Sequence, residues 1–179
     1  CAAVYLAREG WRWAREDFWL RRAANLPALD QERVQALQHA HWIAPNNPAT
    51  PYQIGEIYRL RSWAGGDDYR DLAEAAMEWF RTAVTANPYD MHPYMRHAMC
   101  LDWVGRHEEA GAMFQKALEI DPNNFDLIRH HGWHFLQIRD YEAAKRELER
   151  SLEIRPWDNN VARYYLNVVN QRLQNPYPF

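Results

Sequence analysis

The stretch HEEAGAMFQKALEIDPNN, residues 107–124, carries apolar residues at helical spacing and stops at Asp-Pro-Asn-Asn. At residues 141–158 the chain says nearly the same thing again, as YEAAKRELERSLEIRPWD. The interval is 34 residues, and it extends backwards and forwards from both segments. Counted from the proline that closes each copy, repeat B covers residues 91–124 and repeat C residues 125–158. The first helix of B reads YMRHAMCLDWVG and that of C reads IRHHGWHFLQIR. Small residues recur at repeat position 8 (Ala98, Gly132) and position 20 (Ala110, Ala144), and large ones at position 24 (Phe114, Leu148). Pro122 and Pro156 stand at position 32.

These residue types have physical reasons. Two antiparallel helices approach closely where their side chains are small. Large apolar residues fill the space that remains. A proline cannot continue the helix behind it. One such hairpin cannot bury its apolar face alone, so copies must stack.

The pattern resembles the tetratricopeptide repeat (TPR) family. Residues 48–90 extend it as repeat A, with Ile54, Gly55 and Tyr58 in its first helix and Ala76, Phe80, Ala83 and Pro88 in its second. Repeat A is 43 residues long, and its surplus of nine falls in residues 62–71, SWAGGDDYRD, expected as a long inter-helix loop. Residues 159–174 read as a capping helix like the first helix of a further repeat. Residues 31–44 followed by PNN resemble the second helix of a degenerate hairpin, covering 1–47, whose first helix is residues 2–24. Residues 175–179, NPYPF, read as an extended tail. The expected fold class is therefore all-α, a TPR solenoid of antiparallel hairpins in a right-handed superhelix.

The resemblance implies a partner groove lined by the first helix of each repeat, at positions 2, 5, 9, 12 and 13. Repeat A places Ala49, Tyr52, Glu56, Arg59 and Leu60 there. Repeat B offers His92, Met95, Met99, Asp102 and Trp103, and repeat C offers Asp126, Arg129, Trp133, Leu136 and Gln137. The last helix adds Asn160, Arg163, Asn167, Asn170 and Gln171. Some TPR proteins grip a peptide carboxylate with paired basic residues and Asn. Arg163 and Asn167 have those types, without the other basic partners. Met and Trp exposed in a groove suit adaptable apolar recognition.

Other chemistry finds little support. His130 and His134, four apart, would share a helix face and form half of a metal site, with no third ligand at matching spacing. His97 and His131 share repeat position 7, a core position, and are expected to pack with a satisfied hydrogen bond. Cys100 is expected as an inert buried thiol. AGGDD at 64–68 follows no strand and lacks the Lys-Ser/Thr of a phosphate loop. There is no nucleophile elbow and no Asn-x-Ser/Thr acceptor. No catalytic residue, cofactor or metal is assigned.

A formal net charge of −3 lacks the basic excess of a nucleic-acid binder. At 179 residues, with 47% hydrophobic and 25% charged residues, the chain suits one folded domain. The longest apolar run, residues 1–7, is far too short for a transmembrane helix. Nine Trp exceed ordinary usage, and such aromatic abundance also raises a glycan-binding surface as a third class of function.

Both ends invite contact. On a wheel of residues 2–20, Val4, Trp11 and Phe18 share one line and Leu6, Trp13 and Leu20 another, more than one stripe needs. Trp11, Trp13 and Trp19 at one end, and Tyr177 and Phe179 at the other, suggest head-to-tail self-association into a ring or filament. A chain opening at Cys1 is expected to be a processed form or fragment. Cys1-Ala2-Ala3 resembles the start of a bacterial lipoprotein, and a TPR tail of a bacterial polysaccharide-assembly membrane protein is another setting. Both lean towards a cell-envelope or extracellular location. The expected function is a non-enzymatic module binding a protein or peptide.

Overall fold

The computed structural model describes residues 2–174, all in helices and their connections. Among the described residues there are nine α-helices and no strand: α1 Ala2–Ala24, α2 Gln31–Ile43, α3 Ala49–Trp63, α4 Tyr69–Ala86, α5 Met91–Trp103, α6 His107–Ile120, α7 Phe125–Gln137, α8 Tyr141–Ile154 and α9 Asn160–Gln174. They pair as consecutive hairpins, α1 with α2, α3 with α4, α5 with α6 and α7 with α8, and α9 packs on α8 and α7. No described helix is long and apolar enough to cross a membrane.

Two compact units divide the chain, Cys1–Tyr89 and Asp90–Phe179, where its length alone suggests one domain.

Helices α2, α5, α7 and α8 start where the N-cap residue supplies a side-chain acceptor for their free amides. Asp30 accepts from the Glu32 N–H at 2.8 Å, Asp90 from His92 at 3.0 Å and Asp140 from Ala143 at 2.9 Å. Asn124 accepts from both Asp126 and Leu127 at 3.1 Å. Such caps satisfy donors that have no partner in the helix itself. The turns inside repeats B and C close alike. Gly105 at φ 85° and Arg139 at φ 63° occupy the same repeat position. The next amide in each case reaches back five residues, Arg106 to the Leu101 carbonyl at 2.8 Å and Asp140 to that of Phe135 at 2.9 Å.

Within a hairpin, the small residue at position 8 makes room for the large one at position 24. A Cβ on Gly55 would lie 2.6 Å from the Phe80 ring, and one on Gly132 would lie 2.8 Å from Leu148 Cγ. Phe80, Phe114 and Leu148 are fully buried, as are Ala76, Ala98, Ala110 and Ala144. Cys100 is buried and is not in a disulfide. In α9 the corresponding position holds Leu166, half-buried against the cluster of Ala144, Leu148, Ala162 and Val169.

Repeat A corrects one expectation. Its surplus does not make a long loop, because α3 and α4 run to 15 and 18 residues where α5 and α6 have 13 and 14. Residues 64–68 alone link the two helices. The extra turns hold together through Ser62, whose hydroxyl donates to the Tyr69 carbonyl at 2.6 Å, and through the Arg59 guanidinium, 4.5 Å from the Trp63 ring.

Candidate functional site

In the second compact unit, the first helices of successive hairpins, α5, α7 and α9, lie side by side. Their groove-position side chains divide into two groups. Met95 and Met99, at 0% and 2% exposure, are sealed in the core. They do not offer the adaptable surface that their repeat positions suggest. Unbranched Met fills irregular interior space, and this pair is used so. Trp103 remains 40% exposed at the end of α5, and Trp133 is half-buried on α7.

Asp102 was expected in the groove, yet its carboxylate is wholly withdrawn from solvent. It accepts from His107 Nδ1 at 2.9 Å and from His134 Nδ1 at 2.9 and 3.0 Å. The first bond closes the α5–α6 hairpin and the second ties α5 to α7. Two donors to one carboxylate are what make its burial tolerable, since an unpaired buried charge costs far more than a paired one. His134 is thereby committed to Asp102 rather than facing outward beside His130. Gly111 leaves room for its imidazole, since a Cβ there would lie 3.3 Å from His134 Nε2.

His130 turns instead to its own helix, with Nδ1 2.7 Å from the Asp126 carbonyl. Burial pushes its pKa down to about 4, against the opposing pull of Asp126. His131 does not form its expected hydrogen bond: Nδ1 lies 3.7 Å from Glu147 Oε2, beyond hydrogen-bond reach. Its ring packs against Phe135 with centroids 4.5 Å apart. His97 is half-buried. No group of three or more His, Cys, Asp or Glu among the described residues is arranged to hold a metal.

Arg129 pairs with Asp126 one turn earlier on α7 and is half-buried. Burial pushes the Tyr165 phenol up, and Arg129 opposes that shift. Arg163 and Asn167 are exposed on α9, where Arg163 donates to Asn160 Oδ1 at 2.9 Å and to the Pro156 carbonyl. This face thus runs from an exposed indole on α5, past a half-buried one on α7, to an exposed guanidinium and amide on α9. Trp157 and Tyr164, both strongly exposed around the start of α9, were not singled out from sequence. Trp157 directly follows the repeat-closing Pro156, which was the available signal.

In the first compact unit, Arg59 is buried at 5% exposure rather than lining an open groove. Its Nε and Nη2 donate to Glu56 at 2.7 and 3.0 Å, and its guanidinium stacks on Trp63. Tyr52 is half-buried, with its ring 5.8 Å from that of Phe80. Glu56 therefore takes two of the Arg59 donors, while Arg59 Nη1 is buried without a hydrogen-bond partner.

Of the residues assigned to self-association, Trp11 and Trp13 are exposed. Trp19 is not: it packs on the cluster of Ala23, Val34, Ala36 and Leu37 and stacks on His39 with centroids 4.3 Å apart. It lies where α1 meets α2, so its indole serves the hairpin. Tyr177 and Phe179 lie outside the described residues.

Comparison with known proteins bears on this architecture. Residues 92–124 match the family model of the tetratricopeptide repeat. Anaphase-promoting complex subunit 3 of Schizosaccharomyces pombe is 27% identical over 133 residues, 73% of this chain, and the chain spans 19% of that relative's length. TTC0263, a thermophilic TPR protein of Thermus thermophilus, superposes with a TM-score of 0.73 at 16% identity, over 94% of this chain and 95% of that one. The first TPR of Spaghetti (RPAP3), bound to HSP90 peptide SRMEEVD, superposes with a TM-score of 0.54 at 18% identity, over 69% of this chain and 96% of that one. Residues 92–124 thus match a tetratricopeptide repeat, and the hairpins of this chain share the fold of tetratricopeptide-repeat proteins.

Proposed function

We propose that this chain is a protein-interaction module whose second compact unit takes an extended peptide across α5, α7 and α9. Proteins of this fold are generally non-catalytic scaffolds, and the RPAP3 domain carries a bound HSP90 peptide. Those likenesses support the class of ligand. The choice of face rests on one observation: Trp103 keeps 40% of its surface in solvent on a helix whose other large apolar residues, Met91, Met95, Met99 and Leu101, are buried. Removing an indole from water on binding is a strong local source of affinity. Arg163 and Asn167 supply the polar end, suited to a peptide carboxylate or backbone.

The test is selection of binding peptides from a random display library with the whole chain, followed by titration of the best against Trp103→Ala and Arg163→Glu. Helical circular dichroism should stay unchanged, because both side chains are solvent-exposed. Each substitution should weaken binding by tenfold or more. Peptides that bind both variants like the parent would place the ligand elsewhere, and no enrichment of any peptide would sink the proposal.

A further inference from the structure

Among the described residues, the first half of α1 leaves its large apolar side chains in solvent. α1 has 23 residues and α2 has 13, so they are about 35 and 20 Å long. The α1 side chains turned towards the hairpin core begin near Glu16, whose Oε1 accepts from Asn47 Nδ2 at 2.7 Å, and continue through Trp19, Leu20 and Ala23. Before that point Val4, Leu6, Trp11 and Trp13 are 66–74% exposed.

At 100° per residue, those four side chains bound an arc of about half the helix circumference. Within residues 4–15 that arc otherwise holds Ala7, Gly10 and Ala14, and no charge. All the charged residues of this segment, Arg8, Glu9, Arg12 and Arg15, fall on the opposite arc. Glu9 is held by Arg12 at 2.7 Å. That leaves Arg8 and Arg15, neither in an ion pair with a described residue, beside the edge marked by Val4 and Trp11.

We propose that the first half of α1 lies in the interface of an anionic lipid membrane. A partner helix covers an apolar stripe of roughly 100°. A half-cylinder of aliphatic and indole side chains, bordered by arginines, matches the boundary between acyl chains and headgroups. Trp suits that boundary because its ring is apolar and its N–H polar. A second copy is the weaker occupant, because it brings the same uncompensated Arg8 and Arg15 to the contact. The proposal is independent of the peptide face on α5, α7 and α9.

The whole chain would be sedimented with sucrose-loaded vesicles of phosphatidylglycerol and phosphatidylcholine, and with vesicles of phosphatidylcholine alone. It should partition into the anionic vesicles and be released as salt is raised. Trp11→Ser with Trp13→Ser should abolish partition. Arg8→Gln with Arg15→Gln should reduce it by roughly 30-fold, as two basic residues near an anionic surface contribute. Both double variants should keep the parent's thermal midpoint. Absence of vesicle binding by the parent overturns the proposal, as does binding unchanged in both variants. So would a dimer in sedimentation velocity that the tryptophan variant dissociates while vesicles capture nothing, or capture of the parent by an acidic helical peptide with no capture by vesicles.

Discussion

The Asp102 carboxylate and the His134 imidazole, 32 residues apart in sequence, meet at 2.9 Å in the interior of the second compact unit. With His107 on the same carboxylate, one residue fastens a hairpin and the junction to the next. Asp102→Ala should strand two imidazoles facing a void and destabilise the unit by about 2–4 kcal/mol. Urea denaturation measures this. His134→Leu combined with Asp102→Leu should cost less than the two single losses added together, since the partners leave together. Strict additivity would mean that the bond contributes nothing.

Gly132→Ala should destabilise despite the higher helix propensity of alanine. The propensity gain is about 1 kcal/mol. A Cβ at 2.8 Å from Leu148 Cγ forces the hairpin apart, at about 1–3 kcal/mol. Gly55→Ala, aimed at the rigid Phe80 ring, should lose more than Gly132→Ala. Ala144→Leu, at a fully buried position beside Gly132, should lower the melting midpoint as well. An unmoved midpoint in all three would mean that the small positions are misplaced.

A third prediction concerns acid. His130 is held neutral, at about 4 against an ordinary 6.5. Between those values the unfolded chain binds a proton here that the folded chain refuses. Stability therefore falls as pH drops through that window, by up to about 3 kcal/mol from this one site, and below it the loss stops growing. His130→Gln should lose less stability between pH 7 and pH 4.5 than the parent. Parallel losses in the two chains would show that the imidazole is not kept uncharged.

Arg139 holds a left-handed backbone at φ 63°, where repeat B has Gly105. Arg139→Gly should stabilise by about 0.5–1 kcal/mol, through relief of the strain that a side chain suffers there. Gly105→Ala should do the opposite. A melt of each against the parent decides it.

Much of the fold could be read from spacing. Gly55, Gly132 and the large residues opposite them announce themselves because helix contact allows few side-chain sizes. Repeat A's surplus was misread because Gly65 and Gly66 stand out as breakers, while Ser62, Trp63 and Tyr69 have no period that marks longer helices. The site was less legible. Position in a repeat gives a direction for a side chain but not what covers it, so Met95, Met99 and Arg59 were assigned to a groove they do not open onto. Asp102 and His134 could not be paired from sequence, because nothing in either local context names a partner 32 residues away. Trp19 was grouped with Trp11 and Trp13 as one more aromatic of the same helix, though the shorter α2 reaches it and not them.

Leu166 has a consequence for how such a chain can lengthen. The three preceding repeats keep Gly55, Ala98 and Gly132 at that place, each admitting a large residue from its own second helix. A γ-branched side chain leaves no such opening. A hairpin gained by duplication would therefore have to be spliced in ahead of α9, between Ile154 and Asn160, rather than grown beyond it. Leu166→Gly would be the first step in letting α9 receive a large residue from a second helix packed against it.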